Sequence, residues 1–265
     1  MPTPAVPNKT EVSAVLNLRK RKSETPLATI ERYVHTHPEY KKVTMTYAGR
    51  LDPMAEGVLV VLAGDKNKER GTYTALDKDY AFEFILGVAT DTYDVLGKVV
   101  SHTKDVKATE EAVRKALAKY TGTFVQAYPA FSSKVVDGKA LFEHAKAGSA
   151  AGMELPRHEV SVRKIALVGT RTLSKSDLER QIATDVSRMK GDFRQEETLA
   201  LWKAYFESAA PAAFTVFKAE ISCGSGFYVR QLVSDIGKDL GTGAVTISIL
   251  RTRVGKYLLE DAVVL

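Results

Sequence analysis

Cysteine is nearly absent from this chain of 265 residues, in which Cys223 stands alone. A single cysteine excludes an internal disulfide and a cysteine-rich zinc site, and it fits a reducing compartment. Long apolar runs are missing too, since none approaches the roughly 20 residues that a membrane-spanning helix needs. The opening residues, MPTPAVPNKT, lack the charged and apolar regions of a signal peptide. We therefore expect a cytoplasmic protein without a membrane partner.

The familiar catalytic motifs are also missing from the sequence. It contains no P-loop, no GxGxxG after a predicted strand, no HExxH zinc motif and no GxSxG nucleophile motif. The five histidines are scattered, and none stands beside a serine or cysteine in a way that suggests a triad. Any chemistry is therefore expected to need no cofactor and no metal, and to be led by a carboxylate.

Positive charge exceeds negative charge modestly, with 38 Lys and Arg against 32 Asp and Glu. The excess is concentrated between Val12 and Arg50, in Arg19, Lys20, Arg21, Lys22, Arg32, Lys41, Lys42 and Arg50. A phosphate backbone would be attracted to such a region. A solvated charged turn accounts for any single lysine equally well, and many proteins are mildly basic.

The stretch from Met45 to Gly64, MTYAGRLDPMAEGVLVVLAG, combines a polar kink with an apolar run. Six apolar residues, Val58 to Ala63, lie between two glycines, which is typical of a strand buried on both faces. Asp52 would then lie at the mouth of the core, where a carboxylate needs a partner. The alternative is that Asp52 and Pro53 cap a short helical turn. The spacing alone leaves both interpretations open.

The remaining pattern mixes strands and helices without regular alternation, which favours an α+β fold over a doubly wound sheet. The prolines at positions 2, 4 and 7 predict a flexible arm over residues 1–11. Residues 12–265 are predicted to form one domain. Two helical patterns within 171–211 are interpreted as a helical insertion.

Several ordered motifs resemble the tRNA pseudouridine synthase B (TruB) family. The pattern GxLDPxAxGxL covers Gly49 to Leu59 and is followed by an apolar strand. Further matches are KxY at Lys78–Tyr80, LGxxTDTxDxxG at Leu86–Gly97, PxxSxK with a following DGK at Pro129–Lys139, GxYxR at Gly226–Arg230, and LRTxVG at Leu250–Gly255. Together the matches span roughly residues 12–168 and 216–262.

The resemblance implies a pseudouridine-synthase fold, with a mixed, mostly antiparallel central sheet flanked by helices and loops. It implies isomerisation of a uridine to pseudouridine in the TΨC loop of tRNA (U55), without cofactor and after flipping of the base. In the family the motif carboxylate is the nucleophile, which corresponds to Asp52. Arg230 corresponds to the arginine that pairs with it, Tyr80 to the aromatic residue that stacks on the base, and Leu250 to an apolar wall of the pocket. Lys20 and Lys134 are candidate phosphate contacts.

The sequence departs from the family at four places. Tyr47 stands where the family usually has a histidine that fills the space of the flipped base. Arg50 gives GRLD, which is closer to synthases that act on ribosomal RNA. The segment 171–211 has no recognised counterpart, and we expect no C-terminal PUA domain. The alternatives are a synthase for ribosomal RNA and a non-catalytic RNA-binding or RNA-chaperone protein on the same fold. A monomer without an obligate protein partner is expected.

Overall fold

The computed structural model describes residues 12–149 and 152–265, so the predicted arm at 1–11 lies outside the described residues. Within them the strands are β1 (Ala14–Lys20), β2 (Met45–Ala48), β3 (Ala55–Ala63), β4 (Lys78–Leu86), β5 (Val88–Thr90), β6 (Val99–His102), β7 (Gly122–Ala127), β8 (Val135–Val136), β9 (Lys139–Ala140), β10 (Arg157–Ser174), β11 (Ala213–Cys223), β12 (Ala244–Val254) and β13 (Tyr257–Leu258). The α-helices are α1 (Pro26–Thr36), α2 (Arg70–Thr74), α3 (Glu110–Ala118), α4 (Leu141–Lys146), α5 (Lys175–Ser187), α6 (Gln195–Ser208) and α7 (Val229–Asp239). No helix in the described ranges has both the length and the apolar character that a membrane crossing requires.

One large sheet organises the described part of the chain. Its strand order is β1-β3-β12-β4-β11-β10-β7, with β2 also paired to β3 and β13 to β12. Among these described pairs, β3 with β12 is parallel and the others are antiparallel. The predicted α+β architecture with a mixed, mostly antiparallel sheet is confirmed. The order also brings β3, β4 and β12 side by side, although they are distant in sequence.

The apolar run of β3 is buried on both faces, as predicted. Leu59 and Val61 belong to the large core that includes the helices. Val58, Val60 and Leu62 belong to a smaller core on the opposite side of the sheet. Successive side chains of a strand point to opposite faces, so a strand between two cores must be apolar at every position. This burial fixes the start of β3, and with it the kink that precedes it.

Gly57 allows β3 and β12 to pair in parallel at close range. Its φ is +106°, and a Cβ atom there would lie 2.3 Å from the carbonyl oxygen of Arg251. Any other residue would clash with the backbone of β12 and would adopt a strained conformation. The glycine of the kink motif is therefore required for strand pairing, and it holds β12 beside the turn that carries Asp52.

Two helices in contact, α5 and α6, lie between β10 and β11 in the chain. The predicted insertion at 171–211 begins on β10, which continues to Ser174 and pairs with β11 from Arg171 opposite Val216 to Ser174 opposite Ala213. The helical part is therefore 175–208. The Ser174 hydroxyl accepts a hydrogen bond from the Asp177 N–H, which caps α5 and sets this boundary. That this pair is an insertion relative to the family stays a prediction.

Candidate active site

Asp52 lies in the turn between β2 and β3. The Ala55 N–H donates to the Asp52 carbonyl at 3.0 Å, which closes a tight turn, and β3 follows at once. Asp52 therefore does not cap a helix. Its side chain is 24% exposed and accepts a hydrogen bond at Oδ2 from Arg230 Nε at 2.8 Å. Among the described residues none donates a hydrogen bond to Oδ1, so this oxygen is open to a ligand.

Arg230 is a buried guanidinium with acceptors on every side. Nε lies 2.8 Å from Asp52 Oδ2 and 3.4 Å from Asp94 Oδ2. Nη1 donates to the Thr92 carbonyl at 2.5 Å, and Nη2 donates to the Phe131 carbonyl at 3.4 Å. Burial opposes the charged form, but the two carboxylates raise the pKa of Arg230 above its ordinary value. The fixed cation is thus oriented by two carboxylates and two main-chain carbonyls.

The start of α7 places Arg230 in this position. Tyr228 precedes the helix, and its N–H donates to Gln126 Oε1 at 2.9 Å while its carbonyl accepts from Gln126 Nε2 at 3.1 Å. The two bonds from one buried amide fix the backbone just before Val229 and Arg230. On the face of α7 that packs into the core lie Leu232, Val233 and Ile236. The helix direction is therefore set by packing, and Arg230 projects towards Asp52.

Asp94 is a second carboxylate of the site that the sequence analysis did not assign. Its Oδ1 accepts hydrogen bonds from Thr92 Oγ1 at 2.8 Å and from the Leu96 N–H at 3.0 Å. Burial raises the pKa of Asp94 to about 6, although Arg230 and these donors favour its charged form. The signal was present in the TDTxDxxG match, where its neighbouring acidic residue made a simple turn an equally good interpretation.

Two buried cations hold the backbone of the Asp52 turn from the far side. Arg251 donates from Nε to the Val58 carbonyl at 2.7 Å, from Nη1 to the Arg50 carbonyl at 3.3 Å and from Nη2 to the Gly49 carbonyl at 3.2 Å. Lys20 donates from Nζ to the carbonyls of Ala55 at 2.6 Å, Pro53 at 3.2 Å and Arg21 at 2.9 Å. The turn is therefore clamped through its main chain.

The position of Lys20 corrects its predicted role as a phosphate contact. The residue is 0% exposed, so its ammonium group does not reach a ligand at the surface. It lies on β1, where alternate residues point inward, and three carbonyl oxygens match the three N–H groups of an ammonium. Burial lowers the pKa of Lys20 to about 7. Lys20 is a structural residue beneath the Asp52 turn.

A cavity of about 400 Å³ opens beside Asp52. This volume lies in the range of small-molecule sites. Residues from several segments distant in sequence line it, including Asp52, Tyr80, Asp94, Phe131, Arg194, Tyr228, Arg230 and Ile249. Burial raises the pKa of Tyr80 to about 12 and that of Tyr228 to about 12. Both phenols therefore keep their protons at neutral pH.

The structure brings three of the predicted site residues together and leaves others outside the cavity. Asp52, Tyr80 and Arg230 line the same cavity. Tyr47 lies on β2 with its ring centre 5.8 Å from the Arg50 guanidinium, outside the cavity lining. Lys134 is exposed and its ammonium lies 5.3 Å from the centre of the Tyr128 ring. Their predicted roles as RNA contacts stay predictions.

Leu250 does not form the predicted apolar wall of the cavity. Its neighbour Ile249 lines the cavity instead. The two residues are adjacent on β12, so their side chains point to opposite faces of the sheet. β12 carries irregularities on both sides of this point, between Thr246 and Ser248 and between Arg251 and Arg253. Such bulges change which face a residue occupies, and the sequence alone does not reveal them.

Further lining residues were not predicted as site residues. Phe131 and Ser132 come from the segment after β7, and Phe193 and Arg194 come from the connection between α5 and α6. Ser132 is buried, and its Oγ has no hydrogen-bond partner among the described residues. An unpartnered buried hydroxyl calls for a partner such as an ordered water or a ligand. The described residues contain no group of three or more His, Cys, Asp or Glu side chains suited to a metal ion.

Comparison with known proteins identifies the family. The family described as "TruB family pseudouridylate synthase (N terminal domain)" matches residues 37–193. This match covers more than half of the chain and includes Asp52, Tyr80 and Asp94. The chain therefore belongs to the TruB family of pseudouridylate synthases, and the predicted resemblance is confirmed.

Curated relatives carry the same assignment in their names. A tRNA pseudouridine synthase B of Burkholderia mallei (strain NCTC 10247) is 33% identical over 226 residues, which are 85% of this chain and 60% of the relative. A tRNA pseudouridine synthase B of Lactobacillus delbrueckii subsp. bulgaricus is 31% identical over 226 residues, which are 85% of this chain and 63% of the relative. The chain thus spans about three fifths of the length of these relatives.

Solved structures share the fold at low sequence identity. A chain in the crystal structure of a Cbf5-Nop10-Gar1 complex matches with a TM-score of 0.56 and 14% identity, covering 94% of this chain and 50% of that one. A chain in the structure of an H/ACA RNP bound to a substrate RNA containing 2'-deoxyuridine matches with a TM-score of 0.54 and 14% identity, covering 96% and 51%. At this identity the likeness concerns the fold, which is the predicted α+β pseudouridine-synthase fold.

Proposed function

We propose that this protein isomerises a uridine of tRNA to pseudouridine without a cofactor, with Asp52 as the nucleophile. The observation that carries the proposal is the Asp52 carboxylate, held by Arg230 at 2.8 Å on the wall of a cavity that Tyr80 also lines. Family membership and the names of the curated relatives support the same reaction.

The site residues suit the steps of such a reaction. The glycosidic bond must be broken and the base reattached through carbon, which calls for a nucleophile or a proton acceptor at the sugar. Asp52 lines the cavity and its Oδ2 is held by Arg230, while Oδ1 accepts no hydrogen bond from the described residues. Because the guanidinium is fixed by four acceptors, it neutralises the carboxylate without moving. Tyr80 offers an aromatic face for the base and a phenol that stays protonated, since burial raises its pKa to about 12.

The substrate that we propose is uridine 55 in the TΨC loop. A uridine inside a folded loop must be flipped out to reach Asp52, which costs a few kcal/mol of unstacking. Stacking in the cavity and contacts to the sugar-phosphate backbone would offset this cost. Lys41, Lys42 and Lys134 are exposed and are candidate phosphate contacts. We further propose that the protein acts in the cytoplasm as a monomer, with tRNA and no obligate protein as its partner.

The test uses the pure protein and an unmodified tRNA transcript. Asp52→Asn is the matched variant, because it keeps the size of the side chain and removes its charge. We expect pseudouridine at position 55 with the wild type and none with Asp52→Asn, as mapped at nucleotide resolution. A transcript with cytidine at position 55 should give no product.

Two other results would redirect the assignment. Product in ribosomal RNA fragments but not in tRNA would favour the second candidate substrate, for which Arg50 beside the cavity is the motivating residue. RNA binding without product from the wild type would refute the catalytic role of Asp52 and leave an RNA-binding protein.

A further inference from the structure

The helix pair α5–α6 contacts the segment beneath the Asp52 turn. Asp185 of α5 forms an ion pair with Lys22 at 2.5 Å, and its carbonyl accepts a hydrogen bond from Ser23 Oγ at 2.8 Å. The Ser23 N–H donates in turn to the Pro53 carbonyl at 2.9 Å. Ser23 therefore links α5 directly to the backbone of Pro53, the residue that follows Asp52.

The same helix pair also contacts the loop that holds Arg230. Trp202 of α6 is buried and donates from Nε1 to the Gly97 carbonyl at 3.0 Å. Glu197 of α6 forms an ion pair with Lys98 at 2.9 Å. The loop so anchored contains Thr92 and Asp94, both of which contact Arg230. The helix pair thus supports the Asp52–Arg230 pair from two sides.

Arg194, immediately before α6, connects these supports. Its Nη1 lies 2.5 Å from Asp91 Oδ2, and its Nη2 lies 3.4 Å from Asp91 Oδ1. Its guanidinium carbon lies 4.2 Å from the centre of the Phe131 ring. Asp91 directly precedes Thr92, and the carbonyls of Thr92 and Phe131 are the acceptors of Nη1 and Nη2 of Arg230. Arg194 therefore contacts both segments whose carbonyl oxygens orient the Arg230 guanidinium.

The backbone of Arg194 has an unfavourable conformation that its side-chain contacts help to maintain. Its φ is 59°, in the left-handed region that costs a non-glycine residue about 1 kcal/mol or more. Such a conformation persists when the surrounding contacts determine it. The ion pair with Asp91 is well shielded from water, with side-chain exposures of 17% and 19%. It is therefore screened less than the exposed ion pairs of this protein.

We propose that Arg194 is a positioning residue for the reaction, acting through Asp91 and Phe131 on Arg230 and hence on Asp52. Its effect on rate rests on the proposed function. Without the Arg194 side chain, the segments that carry the Thr92 and Phe131 carbonyls can move. The Arg230 guanidinium then loses two fixed hydrogen-bond acceptors. Misplacement of a catalytic group by about 1 Å can cost two orders of magnitude in rate.

Kinetics with tRNA separate positioning from RNA binding. We expect Arg194→Ala and Asp91→Asn each to lower kcat about tenfold or more, with the Kd for tRNA unchanged. Arg194→Lys should not restore kcat, because a lysine keeps the charge but lacks the planar fork. Lys190→Ala is the control: it removes an exposed cation from the same connection and should leave kcat unchanged. A raised Kd with unchanged kcat in Arg194→Ala would overturn the proposal and make Arg194 an RNA contact.

A measurement on the RNA-free protein tests the positioning role of Arg194 without an activity assay. The Arg230 Nε–H resonance in ¹⁵N-labelled protein, assigned by its loss in Arg230→Lys, reports the hydrogen bond to Asp52. It should shift or broaden in Arg194→Ala and in Asp91→Asn, and stay in place in Lys190→Ala. An unchanged resonance in a folded Arg194→Ala protein would refute positioning. If the wild type makes no pseudouridine, the proposed function fails while this resonance still decides the role of Arg194. If Arg194→Ala does not fold, Asp91→Asn and Arg194→Lys decide it.

Discussion

Asp94→Asn should remove a pH-dependent part of the stability of this protein. The carboxyl of Asp94 is buried between Thr92 and Arg230. Burial raises its pKa from 3.8 to about 6 in the folded protein. Between these values the folded state binds a proton that the unfolded state has released. The contribution of Asp94 to stability is therefore fully present below pH 3.8, and it is lost as the pH rises through about 6.

The size of this effect follows from the pKa change. At about 1.4 kcal/mol for each pH unit, a rise from 3.8 to about 6 corresponds to about 3 kcal/mol. Asparagine has nearly the same shape and no titration. The attraction between Arg230 and the ionised carboxylate is already contained in the folded-state pKa, so the pH dependence follows from that pKa. The difference in unfolding free energy, wild type minus Asp94→Asn, should thus fall by about 2.5 kcal/mol from pH 4 to pH 7.5, since part of the change already lies below pH 4.

Urea denaturation of both proteins at half-unit pH intervals measures this difference. Midpoints and m-values are needed at each pH, since a changed m-value would indicate a changed unfolded state. Parallel stability curves for the wild type and Asp94→Asn would refute the reasoning, because they would mean that Asp94 titrates alike in the folded and unfolded chains.

Two further predictions concern buried groups around the cavity. Arg251→Met should lower the free energy of unfolding by about 3–5 kcal/mol, because it leaves the carbonyls around the Asp52 turn unpaired. The control, Arg253→Met, breaks a partly exposed ion pair with Asp79 and should lower it by about 1 kcal/mol or less. Urea denaturation of both variants measures the two losses. Ser132→Ala should leave the melting temperature of the free protein nearly unchanged, because the Ser132 hydroxyl has no hydrogen-bond partner among the described residues. If a bound RNA supplies that partner, the substitution should weaken tRNA binding or turnover severalfold. Equal kinetics for Ser132→Ala and the wild type would contradict such a contact.

The strands and helices that could be predicted are those whose sequence pattern matches their surroundings in the folded protein. β3 is an apolar run because it lies between two cores, and α5 begins where Ser174 caps it. The pairing of Asp52 with Arg230 came from the family resemblance, because 178 residues separate them and no local pattern joins them. The elements of the fold were thus largely predictable, while their contacts in space were not.

The errors have a common physical cause. Lys20 belongs to a run of four basic residues, and composition indicates a solvated face for such a run. Its burial depends on carbonyl acceptors at Pro53 and Ala55, more than 30 residues away. Leu250 was displaced from the cavity by the register of β12, which contains two irregularities. Arg194 was missed because its partners, Asp91 and Phe131, meet it only in the folded chain.

The clamps on the Asp52 turn bear on how this protein can change over evolution. Arg251 and Lys20 hold carbonyl oxygens of Gly49, Arg50, Pro53 and Ala55, and every residue type presents the same carbonyl group. The course of the turn is therefore largely independent of which side chain stands at position 50. That exposed position beside the cavity can therefore be substituted while the Asp52 carboxylate stays in place. If the proposed function holds, new RNA specificities can arise at position 50 without a change in the position of Asp52.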